Sequence, residues 1–488
     1  MPDDLAAHDE ALSTRVQKQS QPLFAARIKV YPRRVRGLYR NIKWALLALC
    51  LAVYYFVPFL RWDRGPGVPD QAVLIDLQGQ RAYFLWIEIW PQEVYYLTGL
   101  LILAAFALFL ATALLGRVWC GYACPQTVWT DLFMAVERLI EGDRNARMKL
   151  DRQPMTVAKA TRKSAKHAIW LVIAAVTGGA WVLYFGNAPD VLRNVFTGGS
   201  DAATYFFIGL FTFTTYMLAG WAREQVCTYM CPWPRFQAAM LDEHSLVVTY
   251  RAWRGEKRGK HKKGDSWEGR GDCVDCSACV AVCPTGIDIR DGQQLECIGC
   301  GLCIDACNEV MEKVERPRGL IAFDTHANMA AAAKGGSARV RPIRARTVIY
   351  ASLLVLVGGI MTAAMLTRTT LDFHVLPDRA PLFVTLSGGM VQNGYTIKVQ
   401  NRERSPATLT LSIDGLAGAQ AEIVVHKRSD LTIEVGPDTT ASFRVLVRAP
   451  RAALKDERTP IGMRLSGAGR EAETDTNFRG PATAGGAR

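Results

Sequence analysis

The run Cys273-Val-Asp-Cys276-Ser-Ala-Cys279-Val-Ala-Val-Cys283-Pro284 is echoed in spacing by Cys297-Ile-Gly-Cys300-Gly-Leu-Cys303-Ile-Asp-Ala-Cys307. Written as C-x2-C-x2-C-x3-C twice over, this is the ligand pattern of a bacterial-type ferredoxin holding two [4Fe-4S] clusters. Three closely spaced thiolates wrap one face of a cubane, and the fourth of each run reaches across to the other cluster. The expected sets are Cys273, Cys276, Cys279 with Cys307, and Cys297, Cys300, Cys303 with Cys283. Zinc also takes C-x2-C pairs, but two interlocked runs of four with a proline after the first fit it poorly. Asn308 stands where a second proline would be expected.

Outward from these runs the chain becomes apolar. The 488 residues are 50% hydrophobic and 21% charged, and the mean hydropathy of +0.06 is an average over unlike parts, which excludes disorder and fibre. Five stretches, 42–60, 94–115, 167–185, 204–222 and 347–366, reach the roughly 20 residues needed to cross about 30 Å of hydrocarbon. The first follows a polar, basic lead and reads as an uncleaved signal anchor. Lysines and arginines mark the side that stays in the cytoplasm. They crowd the lead (Arg15, Lys18, Arg27, Lys29, Arg33, Arg34, Arg36, Arg40) and the segment between spans two and three, whereas the first outer loop has only Arg61, Arg64 and Arg81. This predicts a cytoplasmic N-terminus, a cytoplasmic cluster segment over 223–346, and an outer segment after the fifth span. The net charge of +13 is thereby largely a topology signal. The run Arg251, Arg254, Lys257, Arg258, Lys260, Lys262, Lys263 is expected against anionic headgroups or an acidic redox partner. With Trp253 as its one aromatic it does not suit nucleic acid.

Of the thirteen cysteines, Cys50 lies inside the first span and reads as a packing thiol. The other four outside the double run form a matched pair, Cys120-Gly-Tyr-Ala-Cys124-Pro125 and Cys227-Thr-Tyr-Met-Cys231-Pro232, each just after the inner end of a span. If the segments stay α-helical, i and i+4 share a face, and two such faces make a four-thiolate site. Soft thiolates suit Cu(I), zinc or an iron–sulfur centre, and a thiol pair can also cycle through a disulfide. Met230, Met240 and His244 are weaker ligand candidates. Every one of the twelve lies on the side assigned to the reducing cytoplasm, so a disulfide framework is excluded. There is no dinucleotide fingerprint, phosphate loop or haem-attachment motif, so electrons come from another protein or a quinol.

The segment 372–467 reads differently. Short β-rich runs separated by turn signals such as Asn393-Gly394, Asp414-Gly415 and Gly436-Pro437-Asp438 predict a small antiparallel sandwich, and the polar stretch 468–488 reads as a disordered tail.

The order of these parts resembles the FixG/CcoG (RdxA-type) accessory proteins of cbb3-type cytochrome c oxidase maturation. The similarity is carried by Val30-Tyr-Pro-Arg-Arg-Val-Arg-Gly37, Trp90-Pro-Gln92, Trp119-Cys-Gly-Tyr-Ala-Cys-Pro-Gln-Thr127, Arg223-Glu-Gln-Val-Cys-Thr-Tyr-Met-Cys-Pro232, the double cluster motif, and Asn393-Gly-Tyr395. It is weaker at 251–259, where Arg251 and Lys257 replace the family's acid and proline. The resemblance implies an immunoglobulin-like outer domain in the periplasm and a multi-pass protein of the bacterial cytoplasmic membrane. It also implies a Cu(II) reductase that supplies Cu(I) to the oxidase. The implied partners are the oxidase assembly machinery, a copper exporter or chaperone, a cytoplasmic electron donor and a second copy in a homodimer. Copper is the substrate, at or near Cys120, Cys124, Cys227 and Cys231. Membrane ferredoxins of the NapH and NosR types share C-x3-C-P pairs and offer a second reading, a quinol-linked relay; a non-catalytic assembly scaffold is a third.

Overall fold

The computed structural model describes residues 29–481, apart from Pro66, Lys263, 338–339, Arg404, 425–430, Asp438, Lys455 and Ala468. The basic residues before Lys29, the last seven positions of the expected tail, and Lys263 of the basic run lie outside the described residues. The chain divides into two compact units, Met1–Met361 and Thr362–Arg488.

In the first unit, five helices are long and apolar enough to cross a membrane: Leu38–Phe59, Pro91–Leu115, Val157–Phe185, Ala202–Ala222 and Ala345–Leu366. Their apolar surfaces are largely exposed, as for Leu101, Val172, Phe206 and Val355, which is the pattern of helices whose solvent is lipid. The third helix begins at Val157 rather than at 167, because Lys163 and Lys166 are wound into its first turns and paired with Glu141 at 3.0 and 2.8 Å. Between the first two spans lies a three-stranded meander, β1 Val73–Asp76, β2 Arg81–Phe84 and β3 Ile87–Ile89. Trp90 is buried with the Arg81 guanidinium 4.0 Å over its ring.

An amphipathic helix, Pro125–Glu141, ties the spans together through two buried carboxylates. Asp131 meets Arg40 at 2.8 Å, Arg138 at 3.6 Å and Lys43 at 3.8 Å. Glu137 meets Arg223 at 2.9 Å, Arg147 at 3.0 Å and Lys166 at 3.4 Å. Burial alone would raise the Glu137 carboxyl, but Arg223, Lys166 and Arg147 together hold it at about 2. Such a group stays ionised, and its removal would strand Arg147 and Arg223 out of water, whereas Lys166 keeps Glu141.

The cluster segment is built on a two-stranded sheet, β4 Val247–Tyr250 against β5 Ile321–Asp324, with the short helix Ala278–Val282 packed on the helix Leu302–Lys313. Two members of the basic run are internal ties rather than an outward face. Arg251 pairs with Asp324 at 3.1 Å, and Arg254 pairs with Asp272.

The second unit is a β-sandwich: β6 Leu371–Pro377, β7 Val384–Thr385, β8 Met390–Asn401, β9 Ala407–Asp414, β10 Gln420–Ile423, β11 Thr432–Val435, β12 Thr439–Pro450, β13 Arg458–Gly467 and β14 Arg470–Arg479. One sheet runs β10-β12-β8-β6 with β7 also on β8; the other runs β11-β9-β13-β14. Alternate residues such as Ile397, Leu409, Val445 and Leu465 fill the space between. Two expectations are corrected. Asn393-Gly394 is not a turn but lies mid-strand in β8, opposite Val447 and Leu446. Glycine is needed there because a Cβ would stand 2.3 Å from the Asp378 carboxylate. Within the tail expected over 468–488, residues 470–479 form the strand β14. Its inward residues Ala472, Thr474, Thr476 and Phe478 alternate with exposed Glu471, Glu473, Asp475 and Asn477. This charged outer row suits a sheet edge, and its polarity hides the strand in the composition.

Candidate functional site

The two cysteine runs fold into loops with one shared backbone. In each, the residue before the second cysteine and the residue after it take left-handed φ: Asp275 at 52° and Ser277 at 53°, then Gly299 at 67° and Gly301 at 71°. This curl turns the three nearby thiols inward and delivers the chain to a helix that carries the third cysteine, Cys279 or Cys303. One cavity, with about 340 Å³ of empty space, is lined by Cys273, Cys276, Cys279 and Cys307 together with Tyr250 and Arg290. Its neighbour, about 360 Å³, is lined by Cys283, Cys297, Cys300 and Cys303 and is also touched by Cys279. Among the described residues no three His, Cys, Asp or Glu side chains converge on a single metal ion. Four cysteines in ferredoxin spacing around each void are the donor set of a [4Fe-4S] cluster. Burial pushes Cys297 and Cys307 up to about 12 and Cys279 to about 11. These groups are therefore neutral thiols until metal charge compensates the thiolates.

The C-x3-C-P units are π-turns rather than α-helices. The amide of Cys124 donates to Trp119 O at 2.9 Å, and that of Cys231 to Val226 O at 2.8 Å, both i→i+5. Each second cysteine then leaves the helix with extended ψ, and Pro125 opens the next helix at its first position, where a missing N–H costs nothing. Such π-turns recur at functional sites. The helix that follows the first unit reaches the second: Gln126 Nε2 donates to Leu218 O at 2.8 Å and Arg223 O at 3.2 Å. The four thiols are near enough to act on one another electrostatically, but among the described residues no three of them converge on one ion position. Burial raises Cys120 to about 12, reinforced by Cys124, Cys227 and Cys231, and burial raises Cys227 to about 12 as well. The Cys120 thiol donates to Gln237 Oε1 at 3.1 Å, and Gln237, fully buried, donates in turn to Thr112. Cys231 is exposed. Met230 faces outward at 62% exposure, away from a ligand role.

The first unit is pressed against the second cysteine loop. At Gly121 a Cβ would meet Ile298 O at 2.9 Å and Cys300 Cα at 3.1 Å. Tyr122 Oη donates to Cys300 O at 3.0 Å. Arg117, buried, donates through Nη1 to Cys297 O at 3.0 Å and through Nη2 to Pro234 O at 3.0 Å. Cys120 and Cys227 pack on the same apolar cluster as Cys300 and Ile298. Lys43, in the helix of the first span, is 2% exposed, and its charge opposes the burial effect at both Cys227 and Cys300. Sequence reasoning assigned no role to Lys43, Arg117, Gly121, Tyr122 or Gln237. A signal was present in Gly121-Tyr122 between the paired cysteines, but its partner is nearly the whole membrane domain away in sequence.

Three family models match the chain. One described as "4Fe-4S dicluster domain" covers residues 222–326, one described as "4Fe-4S binding domain" covers 97–141, and the "IG-like fold at C-terminal of FixG" covers 361–481. "Nitrogen fixation protein FixG" of Rhizobium meliloti strain 1021 is 49% identical, over 88% of this chain and 88% of its own. "Protein RdxA" and "Protein RdxB" of Cereibacter sphaeroides are 47% and 46% identical, over 92% and 96% of this chain and 96% and 99% of theirs. With an iron–sulfur dicluster domain, five membrane-length apolar helices and an immunoglobulin-like C-terminal domain in one chain, and identity of this order along nearly all of it, the protein belongs to the FixG/RdxA family of membrane iron–sulfur oxidoreductases.

Proposed function

We propose that the protein reduces Cu(II) to Cu(I) at the four membrane-edge thiols and hands the product on for assembly of the copper site of a cbb3-type cytochrome c oxidase. The observation that carries this reading is the direct contact of the Cys120–Cys124 turn with the Cys297–Cys307 loop through Gly121 and Tyr122. The clusters, when bound, supply electrons one at a time, which matches the single electron that Cu(II) takes up. The residues of the chain do the rest. Cys120, Cys124, Cys227 and Cys231 provide soft sulfur that favours Cu(I) over Cu(II). Gln237 holds the Cys120 thiol in place, and Arg117 fixes the cysteine loop through its carbonyls. Exposed Asp275, Cys276 and Ser277 form the face at which a cytoplasmic electron donor docks. In this reading the N-terminus and the clusters lie in the cytoplasm of a bacterium, the β-sandwich lies in the periplasm, and Cu(I) passes to an exporter or chaperone.

The test is anaerobic Cu(II) reduction by the full-length protein and by a Cys124→Ser/Cys231→Ser double variant, with cluster content measured on the same samples. The reading predicts at least tenfold slower reduction in the variant at unchanged cluster content. Equal rates would move copper elsewhere. The match of residues 97–141 to a "4Fe-4S binding domain" favours a second reading, an electron relay in which these thiols take part without copper; reduction of the clusters by a quinol would support it.

A further inference from the structure

At the start of the first span a groove of about 670 Å³ opens on one side, walled by Arg34, Arg36, Arg40, Trp44, Arg138 and Leu139. It plays no part in the cysteine chemistry. Cations outnumber carboxylates around it: Asp131 is shared by Arg40, Lys43 and Arg138, the Asp143 and Asp305 carboxylates accept from the backbone amides of Arg34 and Arg40, and among the described residues the Arg34 and Arg36 guanidiniums have no carboxylate within ion-pair distance. Arg40 is 5% exposed, and its Nη2 has no hydrogen-bond partner. Its guanidinium lies 4.3 Å over the Trp44 ring, which fixes the fork at the groove. Buried guanidinium capacity left unspent beside two free guanidiniums is a recognition surface for a phosphate oxyanion, whose oxygens accept paired N–H donors. The rim is apolar where it meets the membrane helix. Trp44 is 39% exposed and Leu139 83%, so a ligand with acyl chains is accommodated where free phosphate would leave these side chains uncovered.

We propose that this groove binds the phosphate of an anionic glycerophospholipid, with the headgroup on Arg34, Arg36 and Arg40 and the chains along Trp44 and Leu139. Basic pockets at the ends of membrane helices bind such headgroups.

The test uses the full-length protein in nanodiscs of phosphatidylcholine doped with phosphatidylglycerol, with retained lipid counted by native mass spectrometry. Phosphatidylglycerol is expected to be retained in preference, and retention should fall on the order of 20-fold in an Arg34→Gln/Arg36→Gln variant. Arg162→Gln, an exposed arginine on the third span's helix, should leave it unchanged. Both groove arginines are exposed, and unchanged iron–sulfur absorbance will show that the double variant is folded. Equal retention of the two lipids, or a double variant that retains lipid as the parent does, would overturn the proposal. A further arm adds millimolar inorganic phosphate. It is expected not to displace the lipid, and displacement with the same arginine dependence would overturn the lipid as the source of the oxyanion.

Discussion

At the same step of the repeat, Asp275, Cys276 and Ser277 are exposed while Gly299, Cys300 and Gly301 are buried. The two loops share their spacing and their left-handed backbone, yet one uses ordinary residues in that conformation and the other uses glycine. A left-handed residue other than glycine costs roughly 1–2 kcal/mol, so the backbone alone asks for glycine in both. What differs is the space available. In the first loop the side chains reach into solvent. In the second, a Cβ at Gly301 would stand 2.8 Å from the Tyr39 ring and one at Gly299 3.2 Å from Arg117 Cβ. The contrast shows that the second loop packs toward the paired thiols at the span ends and the first is open to solvent.

The largest change to this contrast should come from Glu137→Gln. It leaves Arg147 and Arg223 without a carboxylate and should destabilise the membrane domain by about 3–5 kcal/mol, read from thermal unfolding by tryptophan fluorescence, while the exposed first loop keeps its cluster. The parent carries an acid dependence that the variant lacks. Because the folded carboxyl is held at about 2, below its ordinary 4.5, its contribution is fully present above that ordinary value and is lost as pH falls toward 2. Next, Gly121→Val drives a side chain into Ile298 O and Cys300. A displacement of about 1 Å at a reacting site can cost about 100-fold in rate, so Cu(II) reduction should fall by that order at unchanged cluster content. Third, an exchange between loops should be asymmetric. Gly301→Ser meets both strain and the Tyr39 ring and should cost about 2–3 kcal/mol. Ser277→Gly relieves strain at some entropic cost and should gain only about 0.5 kcal/mol. Both are measured as the midpoint of denaturant-induced cluster loss, and equal effects would erase the distinction between the loops.

Much of the architecture was legible because it rests on short-range signals. Ligand spacing marked the double cluster motif, and the length of apolar runs marked five spans. The inequivalence of the loops was not legible, because it arises from packing of 117–122 against 295–300. The paired cysteines were expected on α-helical faces from their i, i+4 spacing, but a π-turn at Trp119–Ala123 and another at Val226–Met230 re-aim them, and no local propensity marks such a turn. Strand β14 escaped notice because its inward row is made of alanine, threonine and one phenylalanine behind a charged outer row. Asn393-Gly394 looked like a hairpin turn, whereas the glycine answers the close approach of Asp378.

The most direct test is a single-turnover experiment on chemically pre-reduced, full-length protein lacking one cluster at a time. If the second loop is the one that faces copper, Cys276→Ser protein, retaining the cluster of Cys283, Cys297, Cys300 and Cys303, should reduce added Cu(II) as fast as the parent. Cys300→Ser protein, retaining only the other cluster, should not. Slow reduction by the first variant with fast reduction by the second would contradict the assignment.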